Sequence, residues 1–306
     1  MNAADGIAKR PRHPLVGITA TRFGPMLYPR KDHFIGTSLR LYGEYCRLEI
    51  EVYRRIVRPG DTVVDAGANI GAHTLLFSVC AGPAGQVLAF EPQHRLWRLL
   101  LMNLMLNRAG NVRALPVALA DRDGTVAFPQ PGLHHAFNYG SIGLDTDQPV
   151  RRAAVPLRRL DSFSLARCDF LKIDTEGAEG AVIEGAVSTI ERCRPVISAE
   201  AEISHARARG ERQAAAIAAW LGPLLARGYR CWRMVPRLYT RGNFKNNPVD
   251  VFGGVVNAGI LAFPGEAPDW LAMPQFGLFP VTSVDDIIDD RRGGRSIRQR
   301  WHEAPG

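Results

Sequence analysis

Apolar positions along this chain follow two rhythms that take turns. Leu41, Tyr45, Leu48, Val52 and Ile56 recur at helical spacing, which predicts one helix over 38–58, stopped at Pro59-Gly60. From there short apolar runs trade places with longer helical ones. Thr62–Asp65, Gln86–Phe90, Val112–Val117, Asp169–Asp174 and Pro195–Ala199 read as strands. Ile70–Ala81, His94–Arg108, Ala181–Ile190 and Glu211–Arg227 read as helices. Tyr229–Met234 and Val251–Leu261 read as two final strands. Strands alternating with helices of this length predict an α/β fold, a mostly parallel sheet with helices on both faces.

The alternation also divides the chain. Residues 1–33, rich in Pro, Gly and Arg, read as an irregular arm. Residues 34–262 read as one domain, with a hairpin or loop insertion over about 124–155 where Gly, Pro and Asn interrupt the pattern. Residues 263–306 read as an extension, first Pro-rich and then charge-rich, with disorder expected in the last dozen residues. The apolar stretches Val63–Gly82 and Ala214–Ala226 do not read as membrane spans. The first carries Asp65, Asn69 and His73, and the second is short and holds Pro223.

Composition changes this picture little. A hydrophobic share of 46% in 306 residues is enough for a sizeable core. The net charge of +8 is almost all arginine, since lysine occurs only at Lys9, Lys31, Lys172 and Lys245. The arginines are scattered, with no basic stripe interleaved with aromatics, which counts against a nucleic-acid partner and leaves a small-molecule or glycan partner. Five cysteines, none in a CxxC pair, argue against a disulfide framework or a zinc site and for a reducing, cytoplasmic setting. The N-terminus has no apolar signal core.

The chemistry concentrates at the strand ends. In Val63-Val64-Asp65-Ala66-Gly67-Ala68-Asn69-Ile70-Gly71 a buried strand runs through a glycine turn into a helix. A dinucleotide fold would want G-x-G-x-x-G. The pattern here is Asp-x-Gly-x-Asn-x-Gly. An acid at the strand end repels a diphosphate and suits a ligand with an amine and a sulfonium, as in S-adenosylmethionine. Glu91, at the end of the next strand in Phe90-Glu91-Pro92, stands where an acid can accept two ribose hydroxyls. The plainer role for Glu91 is to cap the helix opening near Pro92.

These segments, with Phe170-Leu-Lys-Ile-Asp-Thr-Glu-Gly-Ala-Glu179, resemble the FkbM family of class I methyltransferases. The resemblance runs from about Phe34 to Leu261. It extends to Arg40-Leu-Tyr-Gly-Glu-Tyr45, Asn138-Tyr-Gly-Ser141, Leu238-Tyr239 and Asn243-Phe244. The chain departs from the family pattern at Ala66, Thr175 and Glu200-Ala201-Glu202. The resemblance implies a Rossmann-like seven-stranded sheet of order 3-2-1-4-5-7-6 with strand 7 antiparallel. It also implies an O-methyltransferase that uses S-adenosylmethionine on a sugar or secondary-metabolite hydroxyl. Asp65, Gly67, Ala68, Asn69, Gly71 and Glu91 are then the cofactor residues, joined by Asp121 from the Asp121-Arg-Asp-Gly124 turn at the adenine.

The fourth strand ends in Lys172-Ile-Asp174-Thr-Glu176-Gly177, not in the Pro-Pro or Pro-Cys of nitrogen and cytosine-C5 methyltransferases. Carboxylates at the carboxyl edge favour a hydroxyl acceptor. Asp174 is the first candidate for the base or orienting group, with Glu176 and Glu200 beside it. Glu176 and Glu179 also read as charges at a helix N-terminus. Lys172, inside an apolar strand, needs a partner, and Glu200 is one choice. Asp174, Glu200 and Glu202 also read as hard oxygen donors of the class Mg²⁺ takes, and spacing alone leaves the metal open. His73, three residues into its helix, faces the cofactor mouth or packs structurally. Tyr42, Asn138, Tyr139, Trp232, Tyr239 and Phe244 are candidates to roof the site and hold the acceptor. Tyr45 lies on its helix's apolar stripe and reads as core. Three other functions compete: a nucleic-acid methyltransferase, a catalytically silent protein that keeps the cofactor, and a nicotinamide dehydrogenase, which needs a glycine pattern the chain lacks.

Overall fold

The computed structural model describes residues 14–283 apart from 147, 204–206, 274–275 and 277, together with residue 286. The expected disorder of the last dozen residues falls outside that range.

The chain begins with an antiparallel hairpin, β1 (Val16–Thr21) and β2 (Gly24–Pro29), where an irregular arm was expected. The Asn103 side chain holds it to the domain, accepting from the Leu27 N–H at 2.7 Å and donating to the Leu27 carbonyl at 3.0 Å. The helix predicted over 38–58 is two helices, α1 (Ile35–Tyr42) and α2 (Arg47–Ile56). Gly43 ends the first in a left-handed conformation, φ +70°. Glu44 then turns away to Arg22, 2.5 Å from its Nε, and accepts from the Phe244 N–H at 3.2 Å.

The central elements follow the predicted alternation. They are β3 (Thr62–Ala66), α3 (Ala72–Ala81), β4 (Gln86–Phe90), α4 (His94–Leu106) and β5 (Val112–Leu115). A small second sheet interrupts them: β6 (Ala118–Leu119), β7 (Gly124–Pro129) and β8 (Arg152–Arg158). The order resumes with β9 (Phe170–Ile173), α5 (Glu179–Glu184), α6 (Val187–Cys193), β10 (Val196–Glu200) and α7 (Arg207–Ala226). The predicted 181–190 helix is split at Gly185, where a Cβ would collide with the Ala120 carbonyl oxygen. The chain closes with β11 (Arg230–Met234), β12 (Gly259–Phe263) and β13 (Leu278–Val281). The last predicted strand begins at Gly259, not at residue 251. Asp250 takes the N–H groups of Phe252, Gly253 and Gly254 and holds that stretch as a turn.

The main sheet has eight strands in the order β5-β4-β3-β9-β10-β12-β11-β13. Counted along the chain within the sheet, that order is 3-2-1-4-5-7-6 with an eighth strand added at the edge. β12 runs antiparallel to both neighbours, and β13 is antiparallel to β11. The extra strand comes from the segment read as an extension.

Strand residues alternate between two cores, as period two requires. Val64, Leu88, Leu171 and Ile197 face α5 and α7, against Val182, Trp220, Leu221 and Leu224. Val63, Val87 and Phe170 face α2 and α3, against Tyr53, Leu76 and Phe77. Among the described residues no helix is long and apolar enough to cross a membrane.

Candidate active site

The carboxyl ends of β3, β4, β9 and β10 open into one cavity, at the edge where parallel α/β sheets bind ligands. The glycine turn after β3 forms its floor. Gly67 has φ +80°, and a Cβ there would stand 1.8 Å from the Asp174 carbonyl oxygen. This glycine therefore lets two loops of the protein meet, where the sequence suggested an approach to a ligand. Gly71, φ +91°, starts α3, and a Cβ on it would press on Leu100. Both positions favour glycine for these reasons.

The turn's N–H groups are occupied within the chain. Gly67 and Ala68 both donate to the Phe90 carbonyl, at 3.0 and 2.9 Å. Asn69, at φ +52°, donates to Glu91 Oε2 at 2.8 Å, and the Ile70 N–H goes to Asn69 Oδ1 at 2.8 Å. The turn is thus not an anion cradle. Asp65, Gly67, Ala68, Asn69 and Glu91 all line the cavity, whereas Gly71 stands behind the wall.

Glu91 is 3% exposed and holds two backbone donors, Asn69 N–H and Gln93 N–H, the second at 2.7 Å. Burial pushes its carboxyl up to about 7. Gln93 is the N-cap residue of α4, so Glu91 has the capping contact as well as the cavity position. Gln93 itself was overlooked. Its amide donates to the Tyr139 carbonyl at 2.9 Å, which leaves a buried Oε1 without a partner on the cavity wall.

Lys172 is the buried cation of the site, and its partners are not Glu200. Its ammonium lies 3.4 Å from Asp65 and 3.2 Å from Asp174. Burial works against its charge, but Asp174, Asp65 and Glu49 outweigh it and hold the ammonium above its usual range. Asp65, fully buried, also accepts from the Thr74 hydroxyl at 2.7 Å.

Asp174, Glu176 and Glu200 converge, with one oxygen of each inside a 4.8 Å group. Glu176, where Glu202 had been read, completes this trio; Glu202 is exposed and acts on it from the rim. Burial, Asp174 and Glu202 push Glu176 well up; burial, Asp174 and Glu176 do the same to Glu200. Glu176 sits at φ +56°, a conformation that strains a non-glycine residue by about 1–2 kcal/mol. Glu179 caps this turn, accepting from the N–H groups of Thr175 and Gly177 at 2.9 and 3.1 Å.

Of the predicted roof only Asn138 lines the cavity. Tyr42 is buried against Tyr239 and Phe252, and its hydroxyl donates to the Val249 carbonyl. The Tyr239 hydroxyl is spent on the Pro248 carbonyl. Tyr139 is fully buried, its hydroxyl on the carbonyls of Gly132 and His135. Trp232 packs on Phe263, and Phe244 lies on the surface under Arg22. Asp121 pairs with Arg122 at 3.0 Å, outside the cavity wall. The residues that do line the cavity include Phe34, Tyr45, His73, Leu238, Val255 and Asn257. Tyr45, half-buried, lines this wall and also packs against the core cluster of Leu39, Ile70 and Leu75.

The fold and site define a Rossmann-like methyltransferase of class I. The chain belongs to the FkbM family: the model for the methyltransferase FkbM domain matches residues 65–231. Methyltransferase 1 of Beauveria bassiana is 30% identical over 148 residues, 42% of this chain and 59% of that protein. Methyltransferase sdnD of Sordaria araneosa is 32% identical over 156 residues, 40% of this chain and 59% of that protein. The chain thus spans 59% of the length of these two relatives. The 2-O-methyltransferase NoeI of Sinorhizobium fredii is 30% identical over 165 residues, 47% of this chain and 67% of that protein. Among solved structures, methyltransferase FkbM from Methylobacillus flagellatus matches 70% of this chain and 50% of that one, with TM-score 0.43 and 15% identity.

Proposed function

We propose that this chain moves the methyl group of S-adenosylmethionine onto a hydroxyl oxygen of a sugar or secondary-metabolite acceptor. The observation that carries the reading is the single cavity in which the Gly67–Asn69 turn and Glu91 meet the carboxylates of Asp174, Glu176 and Glu200. Glu91 and Gln93 Oε1 offer acceptors for the ribose hydroxyls and neighbouring donors. Ala118, Leu119, Phe128 and Ile142 offer the apolar slot that adenine requires. The donor's positive sulfonium and ammonium suit the carboxylate end. The family membership and the name of the relative NoeI, a 2-O-methyltransferase, support an oxygen acceptor.

Asp174, held by Lys172, orients the acceptor in this reading. Glu176 and Glu200, pushed toward their protonated forms, hydrogen-bond to its hydroxyls. The same three carboxylates are hard oxygen donors. A loss of transfer in chelator that Mg²⁺ restores would add a metal to the reading, and unchanged transfer removes it. All five cysteines are free thiols, which suits a cytoplasmic enzyme. The experiment is methyl transfer from labelled S-adenosylmethionine into a fractionated cell extract, followed by hydrolysis of the labelled product. Label in an alkali-stable ether supports the reading. Label on nitrogen, or binding of NAD in place of S-adenosylmethionine, overturns it.

A further inference from the structure

A buried imidazole on the cavity wall has no place in the reading so far. His73 Nε2 lies 3.3 Å from Glu49 Oε2. Both atoms are sealed from solvent, and neither makes a hydrogen bond of good geometry to anything else. Glu49 Oε1 is taken by the Asn257 side-chain amide, which donates to it at 3.0 Å. His73 and Asn257 both line the cavity; Glu49 stands behind them. The imidazole is wedged edge-on against Tyr53 at 5.4 Å, with Tyr45 at 5.8 Å and Phe77 at 6.2 Å. Its plane is therefore fixed by packing.

Two bare acceptors do not face each other at this distance inside a protein, so a proton lies between them. Above pH 7, where the Glu49 carboxyl, raised by burial to about 7, is ionised, that proton is on Nε2 and the imidazole lone pair sits on Nδ1, which has no hydrogen-bond partner among the described residues. The charged and titratable groups facing the ring are Glu49 and Tyr53 from α2, Tyr45 before it, Asp65 from β3 and Lys172 from β9. Burial and Lys172 keep the imidazole neutral, in the form that can accept a proton. Of the carboxylates nearby, Asp174 is paired with Lys172 at 3.2 Å, and burial with neighbouring carboxylates pushes Glu176 and Glu200 upward.

We propose that His73 is the general base of the methyl transfer, and that Glu49 is the positioning residue that fixes its tautomer. The proposal rests on the hydroxyl reading above. In the step, a lone pair of the acceptor oxygen forms the new C–O bond to the methyl carbon. The C–S bond breaks, and its electron pair returns to sulfur, which becomes a neutral thioether. The hydroxyl proton goes to His73 Nδ1, and the resulting imidazolium is balanced by the Glu49 carboxylate.

The test is Glu49→Gln. Because Asn257 goes on donating to Oε1, the new NH₂ occupies the place of Oε2 and points at His73 Nε2. That demands a lone pair on Nε2 and drives the proton to Nδ1, where the base was. Ring ¹⁵N NMR of the ligand-free protein, recorded above pH 7 where Glu49 is ionised, is expected to show an Nε2–H tautomer for wild-type His73 and an Nδ1–H tautomer in Glu49→Gln. With labelled S-adenosylmethionine and a set of methyl glycosides as acceptors, Glu49→Gln should lower kcat by about 10²–10⁴-fold. KM and cofactor affinity should stay within threefold. Exogenous imidazole should restore part of the turnover of His73→Ala, which a structural role would not allow. An Nδ1–H tautomer in the wild type, or a Glu49→Gln kcat within threefold of it, overturns the proposal while leaving oxygen methylation intact. Methyl groups on nitrogen overturn the hydroxyl reading and this proton step with it.

Discussion

Gly67→Ala separates the two reasons a glycine stands in the cofactor turn. At φ +80° any L side chain costs about 1–2 kcal/mol in local strain. The new Cβ would also stand 1.8 Å from the Asp174 carbonyl oxygen. That atom belongs to the main chain, so no side-chain rotation relieves the clash. The strand-end hydrogen bond from Asp174 N–H to the Ala66 carbonyl, 3.0 Å, lies beside it and must stretch. Forcing such a shift costs about 1–3 kcal/mol more, giving a total of roughly 2–5 kcal/mol. Gly60→Ala is the matched control. Its φ is +89° and a Cβ there has open space, so it should lose only the strain, about 1–2 kcal/mol. Urea unfolding of the three proteins, compared at equal m, reads the difference. Gly67→Ala should also reduce methyl transfer, because the displaced loop carries Asp174. If Gly67→Ala is no less stable than Gly60→Ala, the loop-to-loop contact is not what holds glycine at this position.

Three further outcomes are expected. Glu91→Gln places an amide donor against one of the two backbone N–H groups that Glu91 accepts, and should weaken S-adenosylmethionine binding roughly 10- to 150-fold by calorimetry, from about 1.5–3 kcal/mol; an unchanged affinity restricts Glu91 to capping. Lys172→Met leaves Asp65 buried with no cation and should cost about 3–5 kcal/mol in unfolding free energy. Adding Asp65→Asn should recover most of that loss, and a double variant as unstable as the single one refutes the pairing. Burial raises Asp32 to about 6 and both Glu49 and Glu91 to about 7, so the folded protein binds these protons more tightly than the unfolded chain. The stability they contribute is fully present below the unfolded values, near pH 4, and is lost as pH rises through 6 and 7. For Glu49 the ceiling is about 3 kcal/mol, and Glu49→Gln should flatten the denaturation midpoint against pH; equal slopes would refute the assignment.

The parts legible in the sequence were those that depend on neighbours along the chain. Short apolar runs marked β3, β4 and β9 closely, and Gly67, Asn69, Glu91 and Asp174 followed from their places at strand ends. The failures came where a distant partner decides. Nothing near Gly43 announces that Glu44 will be drawn to Arg22 and to the main chain of Phe244, yet that contact breaks the first helix. The extension yields an edge strand because β11 has an open side, which no local pattern reveals. The aromatic candidates failed for the same reason, since Tyr42 and Tyr239 satisfy one another's surroundings away from the cavity. Glu49 did leave a trace. It stands four residues after Tyr45 and three before Val52, on the buried side of its helix, where an acid calls for a partner.

The charges at the cavity also have a direction. Lys172 is shared between Asp65 and Asp174, so the cluster of Asp174, Glu176 and Glu200 holds more potential negative charge than its one cation balances. Burial and this excess push Glu176 and Glu200 upward, toward the forms that relieve it. A sulfonium donor brings the missing positive charge and so is favoured over a neutral analogue in the same shape. In the proposed step, transfer of the methyl group removes that charge from sulfur, and the proton released by the acceptor leaves an equal charge on the imidazole. The net charge of the site is therefore conserved through the step, and its reorganisation is small. Once the proton leaves for solvent, the neutral thioether faces an under-compensated carboxylate cluster. In the proposed reaction the neutral product therefore lacks the attraction to these carboxylates that the sulfonium had.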